Sequence, residues 1–154
     1  MSIADDAVEI RAQGWRALAA LHGIIESALE KSLQREHQLS VVEYTVLDAL
    51  SRQDGWHMRM QQLARAAALS SSATTRLVAR LEERHLLARY LCPDDRRGIY
   101  TELTKAGKQL LSEARPTHDS TLHNAIENAD SVPELRALTQ AFQQIYPESL
   151  VTAV

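Results

Sequence analysis

The side chains of this 154-residue chain whose types and spacing could do chemistry are arranged for binding rather than catalysis. Ser71, Ser72, Thr75, Arg76 and Arg80 fall within one helix-periodic run between Ser70 and Arg84. With about 100° per residue and Leu77 as zero, Ala73, Leu77 and Leu81 share an arc of roughly 80°, the side to be buried. Ser72, Thr75, Arg76 and Ala79 take the opposite face, with Ser71 at the helix start and Arg80 on one flank. Small hydroxyls and Ala let a helix approach the floor of a DNA major groove, where Arg bonds guanine edges bidentately. Hydroxyls and main-chain N–H groups near a helix start suit phosphate. The competing reading is a Ser/Thr-capped surface helix with an incidental Arg.

A second polar group, Asp95, Arg96 and Arg97, sits in the turn-rich stretch Cys-Pro-Asp-Asp-Arg-Arg-Gly between two strand-like runs. Cys92, the single cysteine, lies beside it. Nearby cations lower a thiol pKa, so redox sensing is one reading of that residue. One cysteine excludes an internal disulfide framework and any Cys-rich zinc site. His118 and His123 are five apart, a poor chelating interval on a helix, and no His-Glu-x-x-His pattern exists. With no nucleophile elbow, P-loop or dinucleotide fingerprint either, the expectation is a non-enzyme without metal or cofactor.

Charge supports a binding role. Residues 59–108 hold ten Lys/Arg against five Asp/Glu, a local +5 that leaves −8 on the remaining 104 residues of a chain with net −3. A basic middle in an acidic whole is the footprint of a polyanion site, or else a solvated charged face. No apolar run approaches the roughly 20 residues of a membrane span, and the acidic start lacks a signal-peptide layout. The expectation is a soluble, cytoplasmic protein.

The elements that must position these groups follow from periodicity and caps. Residues 5–35 form a proline-free helix with Trp15, Leu18, Leu21, His22, Ile25, Leu29 and Leu33 along one stripe. Ser40 and Glu43 have capping-box spacing, starting a helix that runs to about Ser51. A short extended stretch at 57–59 precedes an Ala-rich helix, a break at Leu69-Ser70, and the Ser71–Arg84 helix. Two helices joined by a short turn suggest a helix-turn-helix, and the runs 87–91 and 99–103 suggest a hairpin. Thr104 caps a further helix with a kink or break expected at Pro116. Ser131-Val-Pro-Glu134 predicts one more capping-box start, for a helix carrying Leu135, Leu138, Phe142 and Ile145.

At this point the chain resembles the MarR family of bacterial transcription regulators. Asp95-Arg96-Arg97-Gly98 followed by Leu103-Thr104-Lys-Ala-Gly107 looks like that family's wing signature, and Thr75–Glu82 like its recognition helix. One departure is His85, where many members have Gly at the end of the recognition helix. The resemblance implies a mainly helical winged helix-turn-helix fold with a small β-hairpin. The DNA-binding lobe would span 40–104, and helices at 5–35 and 105–150 would make a homodimer. It further implies Arg97 in the minor groove, Arg96 on phosphate and Asp95 orienting the wing. Members often bind small aromatic acids, so Trp15, Arg16 and His22 are candidate ligand residues, with a buried Trp and hydrogen-bonded His as the plainer reading. The expectation is a repressor that binds a pseudo-palindromic duplex and is released by such an effector. A winged protein-interaction module that binds no DNA is the alternative.

Overall fold

A computed structural model describes residues 3–92 and 94–144, with the side chains of residues 3, 4, 92 and 95–97 outside the description. The order is α1 (Ile3–His37), α2 (Val41–Ser51), β1 (His57–Arg59), α3 (Met60–Ala66), α4 (Ser71–Glu83), β2 (Leu87–Cys92), β3 (Asp95–Leu103), α5 (Lys105–Asp130) and α6 (Arg136–Gln143). The fold is mainly helical, with one antiparallel sheet in the order β1-β3-β2.

Two compact units divide the chain, one of residues 30–118 and one of residues 1–29 with 119–154. The division falls inside α1 and α5 rather than at the ends of the winged segment. The reason is packing: Leu33 from α1 and Leu111 and Ala114 from α5 are buried in the same core as Leu47, Leu63 and Val78. A helix-turn-helix plus hairpin is too thin to bury its own apolar faces, so the flanking helices complete the lobe.

Local signals explain the lobe's frame. The Ser40 hydroxyl accepts from the Glu43 N–H at 3.0 Å, and the Glu43 carboxylate accepts from the Ser40 N–H at 2.9 Å, completing the expected capping box. Both Leu39 and Tyr44 beside it are buried. Pro116 does not break α5 as expected, although it removes one helical donor. Clasps hold the helix on both sides of it: Arg115 donates to Asp48 at 3.1 Å and to Ser51 at 3.0 Å. Beyond it, Thr117 donates to Glu36 at 3.1 Å and pairs with the His37 ring at 2.7 Å.

In the second unit, Leu21, Ala129 and Leu135 form a small buried cluster, with Ala17, Ile25 and Leu138 against it. The capping box expected at Ser131 is absent. The Ser131 hydroxyl instead donates to the Asn128 carbonyl at 2.6 Å, closing the end of α5. Pro133–Leu135 then forms a single 3-10 turn, and α6 begins at Arg136. Phe142 is exposed rather than packed, and Ile145 lies outside the described residues.

Candidate nucleic-acid interface

Helix α4 separates its faces as its period demands. Thr74, Leu77, Val78 and Leu81 are buried, while Ser71, Ser72, Thr75, Arg76 and Arg80 are all exposed. The buried arc is centred slightly differently from expectation, with Ala73 only half-buried and Thr74 and Val78 taking its place. Thr74 can be buried because its hydroxyl donates to the Ser70 carbonyl at 2.8 Å, leaving no unsatisfied group. Ser70 is the N-cap, accepting from the Ala73 N–H at 3.2 Å. The helix therefore presents hydroxyls at its start and two guanidiniums further along the same open face.

The far end of α4 is closed without glycine. His85 takes a φ of 60°, in the left-handed region. The His85 N–H reaches the Glu82 carbonyl at 2.9 Å and the Leu86 N–H reaches the Leu81 carbonyl at 3.0 Å, the paired bonds of a Schellman motif. The chain then turns into β2. Thr104 ties this corner to α5, its hydroxyl donating to the His85 carbonyl at 2.6 Å and accepting from the Gly107 N–H at 3.0 Å. A Cβ at Gly107 would lie 2.1 Å from the Leu86 carbonyl oxygen, so only glycine lets α5 approach. The Leu-Thr-x-x-Gly spacing is thus a packing device behind the recognition helix.

Strands β2 and β3 make the wing, paired from Leu87↔Leu103 to Leu91↔Ile99, with an irregularity before Cys92. Asp95, Arg96 and Arg97 lie in β3, but their side chains and that of Cys92 are outside the described residues. The base of the wing is fixed to α4 by Glu82 and Arg89. The Arg89 guanidinium donates to Glu82 at 2.9 and 3.2 Å, and the Arg89 backbone N–H adds a third bond at 3.1 Å. Those bonds hold the Glu82 carboxyl below the ordinary glutamate range and raise Arg89. Arg84 likewise reaches Glu43 at 3.4 Å.

The pairing pattern sorts the basic segment into two classes. Arg84 and Arg89 are engaged with carboxylates, and the Arg59 Nε donates to the Tyr100 hydroxyl at 2.9 Å. Arg76 and Arg80 are exposed and have no side-chain partner among the described residues. A hollow of about 390 Å³ opens where α4, α3 and the wing meet, lined by Thr75, Arg59, Gln61, Arg89 and Ile99. A smaller one of about 270 Å³ lies along Arg76 and Arg80 beside Ser40 and Ala73. Arg59, Gln61 and Arg89 went unrecognised from sequence as parts of this surface. Their only signal was membership of the basic stretch.

The candidate ligand residues are not brought together. Trp15 is 68% exposed, and the His22 ring is exposed, pairing with Glu26 at 2.8 Å. Of the plainer expectation, the His22 pairing is present, while Trp15 is exposed within the single chain. Arg16 pairs with Glu9 at 2.8 Å and borders an open groove of about 640 Å³, floored by Ala17, Ala20, Ile24 and Leu135. Neither Trp15 nor His22 lines that groove. His118 stacks on Tyr44 with ring centroids 4.2 Å apart, and His123 pairs with Glu127 at 3.4 Å. Among the described residues no group of three or more His, Cys, Asp or Glu could hold a metal ion, and no helix is long and apolar enough to cross a membrane.

Comparison with known proteins agrees with this geometry. A family model described as the MarR family matches residues 37–98, which span α2, the helix-turn-helix and the start of the wing. The chain is 27% identical over 128 residues to the HTH-type transcriptional regulator MhqR of Bacillus subtilis (strain 168), covering 83% of this chain and 86% of that one. Among solved structures it is similar to Sco3205, a MarR family transcriptional regulator from Streptomyces coelicolor in complex with DNA. That match has a TM-score of 0.70 and 26% identity, covering 97% of this chain and 81% of the other. AbsC, a MarR family regulator from the same organism, matches with a TM-score of 0.72 and 27% identity over 92% of this chain and 90% of that one.

Proposed function

The chain belongs to the MarR family of DNA-binding transcriptional regulators, and from that premise we propose that it is an effector-released repressor acting as a homodimer on a pseudo-palindromic operator. The observation that carries the DNA reading is the open face of α4. Ser71, Ser72, Thr75, Arg76 and Arg80 are exposed on a helix whose other side is locked in the core, and the two arginines have no side-chain partner among the described residues. In this reading the hydroxyls at the helix start take backbone phosphates. Arg76 reads a base edge in the major groove, and Arg80 works from its flank. Arg97 and Arg96 reach the flanking minor groove and phosphate, oriented by Asp95.

Homodimer formation is supported by where apolar side chains remain exposed. Val8, Ile10, Trp15, Leu18 and Phe142 are all uncovered and all belong to the unit outside the DNA-binding lobe. Exposed apolar surface of this kind favours an interface. A second copy would cover them, and a two-fold protein matches a two-fold operator. A protein-interaction module without DNA binding has less in its favour, because the α4 face offers hydroxyls and cations rather than aromatic or aliphatic anchors.

The effector is a small aromatic acid in this reading, with Arg16 as its anion partner. Arg16 supports it by bordering the apolar groove, where an incoming carboxylate would replace Glu9 as the partner of its guanidinium. Release follows if the acid binds the DNA-incompetent conformation more tightly than the competent one.

Fluorescence anisotropy with duplexes from the protein's own promoter region tests the proposal. Tight, salt-sensitive binding to one duplex over a scrambled control is expected. Equal binding to both, or none, would reject it.

A further inference from the structure

We infer that Glu82 is a positioning residue for DNA recognition: from the recognition helix it fixes the base of the wing through Arg89, so both elements meet one duplex in a set geometry. The inference rests on the DNA-binding reading above and adds a determinant outside the contact face. Glu82 stands two residues beyond Arg80 on α4, and Arg89 is the third residue of β2. Only residues 84–86 connect the two elements, and His85 among them carries a positive φ. Rotation about so short a corner would swing the hairpin relative to the helix.

Three bonds oppose that rotation. Two join the Arg89 guanidinium to the two Glu82 carboxylate oxygens, at 2.9 and 3.2 Å, in the forked geometry that fixes direction as well as distance. The third, from the Arg89 backbone N–H at 3.1 Å, holds the strand itself. In the sheet order β1-β3-β2, strand β2 is an edge, whose outward N–H groups have no ladder partner. Glu82 takes one of them. The carboxylate thereby does for the wing what a neighbouring strand would do.

The same pairing settles the role of Arg89. A free arginine at the border of the hollow shared with Thr75 and Arg59 would draw phosphate without fixing register. Paired to Glu82, it is committed to geometry, while Arg76 and Arg80 stay open for DNA.

The test uses the full chain, with Cys92→Ser as background and spin labels at Ser72→Cys and Asp94→Cys. With labelled chains diluted in an excess of unlabelled chain so that each dimer carries one labelled copy, a single narrow distance is expected with Glu82 intact, and a broad one in Glu82→Gln at unchanged far-UV circular dichroism. Arg89→Lys, which keeps the charge but loses the fork, should fall between. On the duplex bound by the parent, Glu82→Gln should weaken binding roughly fivefold, and this loss should shrink when Arg96 and Arg97 are both alanine, as coupled sites behave. An unchanged label distance in Glu82→Gln would overturn the inference, as would the same loss in the Arg96→Ala/Arg97→Ala background. The labels report without DNA, so a sharp parent distance with no preferred duplex would instead locate the failure in the DNA-binding reading, and the inference would fall with it.

Discussion

Glu82 and Arg89 are joined by three hydrogen bonds that link the recognition helix to an edge strand of the wing. The Glu82 carboxyl is held below the ordinary glutamate range, first by the Arg89 guanidinium bonds. A carboxyl whose pKa is lower folded than unfolded stabilises the fold above its unfolded value, and that stabilisation is lost as pH falls through the folded value. Thermal melts should therefore show the parent above Glu82→Gln at neutral pH, with the gap closing below about pH 4. The pair is over a third exposed on the Glu82 side, so the gap should be small and shrink further in salt. A gap that persists undiminished at pH 3 would mean that the carboxylate charge is irrelevant.

His85 and Gly107 predict opposite responses at one corner. His85→Gly relieves a left-handed residue and should raise stability by about 0.5–1 kcal/mol. Gly107→Ala would gain helix propensity at an open position, yet here its Cβ meets the Leu86 carbonyl at 2.1 Å. It should cost about 2–4 kcal/mol, because backbone must move. Urea titrations of both variants check the pair, and a stabilised Gly107→Ala would refute the packing argument.

How much of this was legible in the sequence depended on how local each cause is. The Ser40–Glu43 box and the two faces of α4 follow from intervals of three and four residues; the box forms as expected, and α4 separates its faces with the buried arc shifted onto Thr74 and Val78. The same box pattern at Ser131 fails because that residue closes α5 instead, a competition that no local spacing reveals. Pro116 is tolerated because Asp48, Ser51, Glu36 and His37, far away in sequence, clasp its neighbours. Of the binding surface, Arg76 and Arg80 were evident from periodicity. That Arg89 is engaged and they are not depends on a corner whose backbone path His85 left ambiguous.

Assembly follows from the uncovered apolar side chains. Light scattering should give about twice the 17.2 kDa chain mass at micromolar concentration. Trp15→Glu and Leu18→Glu together should shift the mass toward one chain and weaken operator binding. A monomeric parent with full affinity would remove the dimer from the account.

The effector reading separates Arg16 from His22. An aromatic carboxylate should release DNA, and Arg16→Ala should blunt that release while leaving ligand-free binding near normal. His22→Ala should respond as the parent does, since His22 does not line the groove. The reverse pattern would place the effector elsewhere.

If the α4 face reads DNA sequence, the purified protein should select particular duplexes from a random library. Enriched duplexes should carry two inverted half-sites about one helical turn apart. Arg76→Ala should relax one position in each half by about 1–3 kcal/mol. Bound pools as random as the input, or Arg76→Ala selecting the same sequences with equal stringency, would contradict it.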